Sequence, residues 1–438
     1  MGAYLDLLRQ RPAYRALFAS EVVSVTGDWF SLVAVSILTV QAAGPSSGVA
    51  LASVLAAHLL PQALFAPAAG WLADRYDRRA LLVIGAVVEG LLTIAMVAAA
   101  AERSVGALQA LLFVRASVAS LREPAAGAAL PSLVEKAELA TANALGATAW
   151  STTFVVGMAL GGLATELGPT IALSIDAATF FLAAALLRPL PRLEPPPREG
   201  ARAHTLGAAL VGAARDVFAA ARVAARPDLR ASVFGKTPSS VAAGAAWVAL
   251  NLQAQRLSIV ATAATTLGVL QAVRGVGTGV GPLLARRRWL SPRAMAHVAA
   301  LAALLGCWGI AVAPSFATAL VSVFFWGVGG GGLWVLTQTE IQERSGDAMR
   351  GRLLSLDALG FTVGMGGTAL VFGALVDRGV SSEYAASALV ALSALGWLWL
   401  RRSAPSPYDP SAHDVASDRE RATDPLVGAP IASAERPE

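Results

Sequence analysis

Asp28, His58, Glu89, Arg115, Asp176, Lys236 and Arg274 are ionisable residues inside long apolar stretches of this chain. A charge inside a bilayer costs about 2.5–3.5 kcal/mol or more, so such residues pair with one another or serve a substrate path. Asp28 lies 13 residues beyond Arg15, roughly 20 Å along a helix, which puts it near mid-membrane. Glu89 also falls near mid-membrane. Asp28 and Glu89 are therefore candidates for proton uptake and release, with Arg115 as the cation that pairs with either acid in an empty site. Asp176, Arg274, Lys236 and His58 complete a candidate substrate cavity, in which Arg115 and Arg274 balance charge or hold an anion. Histidine ordinarily titrates near neutral pH. Each residue also has a plain structural reading. The acids serve as bonds to a neighbouring span, His58 as a packed core residue, and Lys236 as a cation reaching the membrane edge along its apolar stem. Few acids line the spans, which argues against a site built only for cations.

Hydropathy locates the elements that must hold these residues. Of 438 residues, 55% are hydrophobic and 14% charged, against about 25% charged in soluble chains. Apolar runs near 16–40, 48–72, 80–101, 106–125, 142–166, 170–187, 229–253, 262–285, 294–312, 316–336, 353–376 and 382–400 are each close to spanning length, since about 20 residues cross a bilayer. The expected fold is an all-α integral membrane protein of about twelve transmembrane helices in two pseudo-symmetric six-helix bundles. The net charge of +5 is carried by arginines in short clusters between the runs, not on one basic domain, which excludes nucleic acid as a partner. Cys307 is the single cysteine. Nothing in the pattern forms a metal-ligand cluster, a nucleophile elbow or a paired-carboxylate motif, so no enzyme, cofactor or metal site is expected. The polar, basic start before Arg15 does not read as a cleavable signal peptide.

Arginine placement sets the orientation. Alternate loops carry Arg9, Arg11 and Arg15; Arg75, Arg78 and Arg79; Arg286, Arg287, Arg288 and Arg293; Arg344, Arg350 and Arg352; and Arg401 and Arg402. The opposite loops carry Arg103, Arg256 and Arg378. Both termini are thus expected in the cytoplasm. Residues 1–188 form the N-terminal bundle and 229–402 the C-terminal bundle. A cytoplasmic central loop at 189–228, with prolines and an amphipathic surface helix, joins them, and 403–438 is expected to be a disordered cytoplasmic tail. Phe154-Val155-Val156-Gly157-Met158 recurs as Phe361-Thr362-Val363-Gly364-Met365, with Gly161-Gly162 and Gly366-Gly367 following. This echo implies parallel halves related by an axis along the membrane normal.

Between the second and third runs lies Gly70-Trp71-Leu72-Ala73-Asp74-Arg75-Tyr76-Asp77-Arg78-Arg79. A positive loop alone needs neither Asp74 nor Asp77. The segment resembles the signature loop of the major facilitator superfamily, Gly-x-Leu-x-Asp-Arg-x-Gly-Arg-Arg, with Asp77 in place of its second glycine. Gly157-Met158-Ala159-Leu160-Gly161-Gly162 is similar to an element of the superfamily's exporters, with Met158 in place of proline. Leu130-Pro131-Ser132-Leu133-Val134, Ala142-Asn143-Ala144-Leu145 and Arg350-Gly351-Arg352-Leu353-Leu354 resemble the bacterial branch that includes the enterobactin exporter and the lysophospholipid transporter. The resemblance implies a cytoplasmic latch made by Gly70, Asp74, Arg75, Arg78 and Arg79 against the start of the eleventh span at Gly351 and Arg352. It implies helix packing and gating at Gly157, Gly161 and Gly162, and Gly364, the echo of Gly157, joins them as a candidate.

The function expected is secondary active transport by alternating access: a proton-coupled exporter of small amphipathic molecules, monomeric, in the bacterial cytoplasmic membrane. Its partners are a small-molecule substrate, protons and membrane lipids. An uncoupled lipid or lysolipid flippase and a non-transporting membrane sensor are the alternatives. The latch predicts that Asp74→Asn lowers transport while expression is kept; normal transport with normal expression would remove it from the account.

Overall fold

In a bilayer no water satisfies backbone polar groups, so an apolar chain of this length folds into helices that bond internally. The computed structural model describes residues 2–44, 47–194, 206–258, 262–285 and 290–402. Among them every regular element is an α-helix. The basic run 286–288 and the segment 403–438 lie outside the described residues, as do positions 195–205 of the central segment.

Twelve long helices carry the fold: α2 (Pro12–Ala43), α3 (Gly48–Ala73), α4 (Arg78–Ala101), α5 (Val105–Leu133), α6 (Leu139–Leu167), α7 (Pro169–Leu186), α10 (Thr237–Arg256), α11 (Ala263–Ala285), α12 (Pro292–Ala311), α13 (Phe316–Arg344), α14 (Asp347–Asp377) and α15 (Ser382–Arg402). Three others are α1 (Gly2–Gln10), α8 (Leu206–Ala224) and α9 (Pro227–Val233). Helix ends follow local chemistry. Proline opens α2, α7 and α12, where a missing N–H costs nothing. Ser315 and Thr318 form a capping box on α13, and Asp77 caps α4 through the Arg79 amide. Ten of the twelve are long and apolar enough to cross a membrane by themselves. The exceptions, α10 and α11, carry Ser, Thr, Asn, Gln and Arg side chains. Positions 242–251 of α10 are buried without a break, wrapped by α12, α14, α15, α11 and α3. Its solvent is protein, so it need not be oily outside. Lipid-facing positions such as Leu91, Val371 and Leu395 are exposed and apolar instead.

The structure departs from the sequence reading at the seventh span. The run expected at 229–253 breaks into α9 and α10. Pro238 opens α10, and an added Cβ at Gly235 would meet the Ala231 carbonyl at 2.5 Å. Hydropathy is blind to such a break. The polar start also folds, as α1, which packs on α2 and α6 through buried Leu7.

Within α2–α7 the helices pack α2 on α7 and α6, α3 on α5, and α4 on α5 and α7. Within α10–α15 they pack α10 on α14, α15 and α12, α11 on α13, and α12 on α13 and α15. The two sets meet chiefly along two seams, α6 on α11 and α3 on α14. Both seams are tight at the end away from the termini. There Gly162 lies against Ala264 and Gly268, and Gly48 against Gly373. At the termini end, Cβ atoms added to Gly70, Gly146, Gly279 or Gly351 would meet nothing within 4 Å. Helix α8 packs on α14, α3 and α9 at that end.

Close backbone approach makes glycine a stability determinant inside the second set. An added Cβ at Gly244 would lie 3.0 Å from the Ala369 nitrogen and clash with the Met365 carbonyl. Gly244→Val is expected to cost about 1–3 kcal/mol, read as a lower unfolding temperature in detergent; an unchanged midpoint would contradict this packing.

Candidate functional site

Four helices of the first set converge on one guanidinium. Arg115 on α5 pairs with Asp28 on α2 (3.1 Å) and with Asp176 on α7 (2.5 Å). Ser31 donates a short hydrogen bond to the same Asp176 oxygen that Arg115 engages. Arg115 also reaches Thr93 on α4 at 3.5 Å, and its guanidinium lies 5.5 Å from the Phe180 ring centre. Gly27 permits this approach, since a Cβ there would collide with Asp176 and Thr179. The two acids differ in access. The Asp28 side chain is 21% exposed and that of Asp176 is 0%.

Two turns further along α5, Arg122 lies on the same face as Arg115. It pairs with Glu89 on α4 at 2.9 Å. Neither Glu89 oxygen has a hydrogen bond among the described residues, so the attraction is chiefly Coulombic. The arrangement differs from the expected one, in which Arg115 served Asp28 or Glu89. Asp176 is the second acid on Arg115, and Glu89 has its own arginine.

A cavity of about 550 Å³ opens beside Asp28 and Arg115. It runs along α2, α3, α5 and α6 toward the termini end, and Trp334 of α13 closes its far wall. His58 lines it, as do Trp29 and Trp150. Glu21, Arg122 and Glu123 line it as well, so acids are not scarce, contrary to the sequence reading. The spacing of Arg122 seven residues after Arg115 was the available signal; Glu21 and Glu123 sit near the ends of apolar runs and look like loop charges.

Lys236 and Arg274 do not line this cavity. Lys236 is buried rather than reaching the membrane edge. It pairs with Asp357 of α14 at 2.6 Å and stands 3.7 Å from the Trp334 ring centre. Sequence reasoning missed Asp357, and likewise the buried Glu340–Arg401 pair at 3.1 Å. Arg274 lies between the rings of Phe154 (4.8 Å) and Trp326 (4.7 Å), its Nε donating to Gln271 at 2.7 Å. Phe154 in turn contacts Trp29 and Trp150, so aromatic rings separate Arg274 from the cavity.

The 70–79 segment forms the turn between α3 and α4. Asp77 accepts from the Arg79 and Leu193 amides at 3.1 and 2.8 Å. Arg78 donates to the Ala128 carbonyl and Arg79 to the Arg188 carbonyl. Arg75 stacks on Trp71, and Asp74 caps the C-terminus of α3. On α14, Arg352 pairs with Asp216 of α8 at 3.1 Å. Gly157 and Gly161 pack against α2, whereas Gly364 packs against α10. Gly157 meets the Thr26 carbonyl and Gly364 the Thr237 carbonyl. The two echoed glycines thus face the first long helix of their own set.

The sequence matches the family described as transmembrane secretion effector over residues 5–432. The chain belongs to this family of major facilitator superfamily transporters. It is 30% identical over 188 residues to an uncharacterized MFS-type transporter of Bacillus subtilis, YfiS, covering 42% of this chain and 44% of that one. It is 28% identical over 277 residues to the uncharacterized MFS-type transporter y4rN of Sinorhizobium fredii, covering 60% and 64%. The chain thus spans less than two thirds of the length of either relative. Among solved structures, the nucleoside transporter NupG superposes with a TM-score of 0.68 at 14% identity, covering 92% of this chain and 99% of that one. The POT family transporter PepTSo gives 0.67 at 15%, covering 90% and 98%. At these identities the likeness shows the fold. The protein is a multi-pass membrane protein of the MFS type.

Removing Arg115 would leave Asp176 charged and buried without its cation. Arg115→Ala is expected to cost about 3–5 kcal/mol, seen as a fall in unfolding temperature. Arg115→Ala combined with Asp176→Asn should recover part of that loss, and no recovery would mean the pair is not the source of the cost.

Proposed function

We propose that this transporter is a proton-driven exporter of small amphipathic molecules in the bacterial cytoplasmic membrane, acting as a monomer with both termini inside. The observation that carries the reading is one arginine shared by two acids of unequal access. Protonation of Asp28 removes one charge from the cluster and leaves the Arg115–Asp176 bond in place. Asp28 faces the cavity, so a bound substrate and a proton compete for the same carboxylate. The aromatic lining of Trp29, Trp150 and Trp334 suits an apolar body. Glu89 with Arg122 serves as the second proton site, and His58 borders the path.

On this reading the cavity in the present state accepts substrate from the cytoplasm. The turn at Gly70, Asp74, Arg75, Arg78 and Arg79 closes against Gly351 and Arg352 in the opposite state. Packing at Gly157, Gly161 and Gly364 inside the bundles, and at Gly162 where the two bundles meet, lets them rock as units, and Arg274 and Lys236 balance charge in the second bundle. Asp28→Asn in everted vesicles is expected to cut substrate-driven proton movement about tenfold, the scale of one charge-assisted contact, with expression unchanged. Efflux that survives both Asp28→Asn and a protonophore would replace this reading with the uncoupled flippase.

A further inference from the structure

We infer that Asp377 and Glu166 are positioning residues of the transport cycle, two carboxylates that each clasp the opposite half and hold the cavity shut at the end away from the termini. The inference needs alternating access and does not depend on proton coupling or on the direction of transport.

The last turn of α14 runs Gly373-Ala374-Leu375-Val376-Asp377, and that of α6 runs Gly162-Leu163-Ala164-Thr165-Glu166. Both the glycines and the acids of these two turns are 211 residues apart. Residues four apart share a helix face. Each glycine therefore brings the backbones together, and each acid reaches over the partner helix's first turn. A Cβ on Gly48 would lie 3.0 Å from the Gly373 Cα, and one on Gly162 would lie 3.1 Å from the Gly268 Cα.

The acids finish the contact. Asp377 accepts from the Gly48 and Val49 amides, each at 2.9 Å. Helix α3 supplies no cap of its own, since Ser47 makes no side-chain cap bond. Two orphan amides of the first half are thus satisfied by a carboxylate of the second, at the positive end of the helix dipole. Glu166 accepts the Thr265 hydroxyl in the first turn of α11. That helix is already capped by Thr262, whose hydroxyl accepts from the Thr265 amide at 3.3 Å. The clasps are therefore unequal. Asp377 holds two backbone amides and a dipole, whereas Glu166 holds one hydroxyl. Opening the cavity at this end breaks both.

The test places spin labels on Glu102→Cys and Val380→Cys, exposed positions of the two halves at the closed end, in the full chain carrying Cys307→Ser. Distances are read by pulsed electron resonance in lipid. Asp377→Ala is expected to shift the closed-to-open ratio about tenfold toward longer distances. Asp377→Asn should shift it less, and Glu166→Gln less than Asp377→Ala. Adding Ser47→Asp to Asp377→Ala recaps α3 from its own half, so it should restore thermal stability but leave the long distances. An Asp377→Ala distribution equal to the parent's would overturn the inference. So would a return to the closed distance on adding Ser47→Asp, which would make Asp377 a helix cap only. If Asp377→Ala alone does not fold, the recapped double variant gives the same decision.

Discussion

Four helices of the first bundle are arranged around a guanidinium that must not be left alone in a bilayer. Arg115 sits where water is scarce, and Asp28, Asp176, Ser31 and Thr93 supply its partners from three other helices. Such a cluster is costly to assemble and costlier to break, because each lost partner leaves a charge buried. It therefore fixes how α2, α4, α5 and α7 sit against one another. It also leaves one acid in excess, and that acid is the one facing the cavity. On the proposed reading, positioning and proton exchange come from the same contact.

The second bundle solves the same problem differently. Lys236 and Asp357 neutralise each other beneath Trp334, and Glu340 pairs with Arg401. Arg274 is held by aromatic faces and Gln271. Trp334 touches the Lys236 pair on one side and the cavity on the other. Through it the second bundle contributes to the wall without placing a charge in the cavity.

The apolar runs and the signature turn made the fold legible, because bilayer thickness fixes helix length and the loop between α3 and α4 has a strong residue pattern. Two kinds of detail escaped. The break before α10 depends on Pro238 and on the tight packing of Gly235, neither of which changes hydropathy. The pairing of charges depends on helix rotation and on which helices are neighbours. Asp28, Glu89, Arg115 and Asp176 stand out in the sequence, and Arg115 with Asp28 is one of the two pairings it suggests; Arg122, which Glu89 meets instead, is not among the candidates. Lys236 looked like an edge residue for want of Asp357, which lies 121 residues away. The glycine echo was visible, yet the Gly-x-x-x-acid turns that close the two seams are matched at a spacing four residues longer, and only the contacts reveal them.

The central claim is that Asp28 exchanges a proton while Arg115 stays bound to Asp176. Infrared difference spectroscopy of the purified protein across a pH step reads carboxyl groups directly. The account predicts a protonated-carboxyl band that is lost in Asp28→Asn and kept in Glu123→Gln. A spectrum unchanged by Asp28→Asn would contradict it.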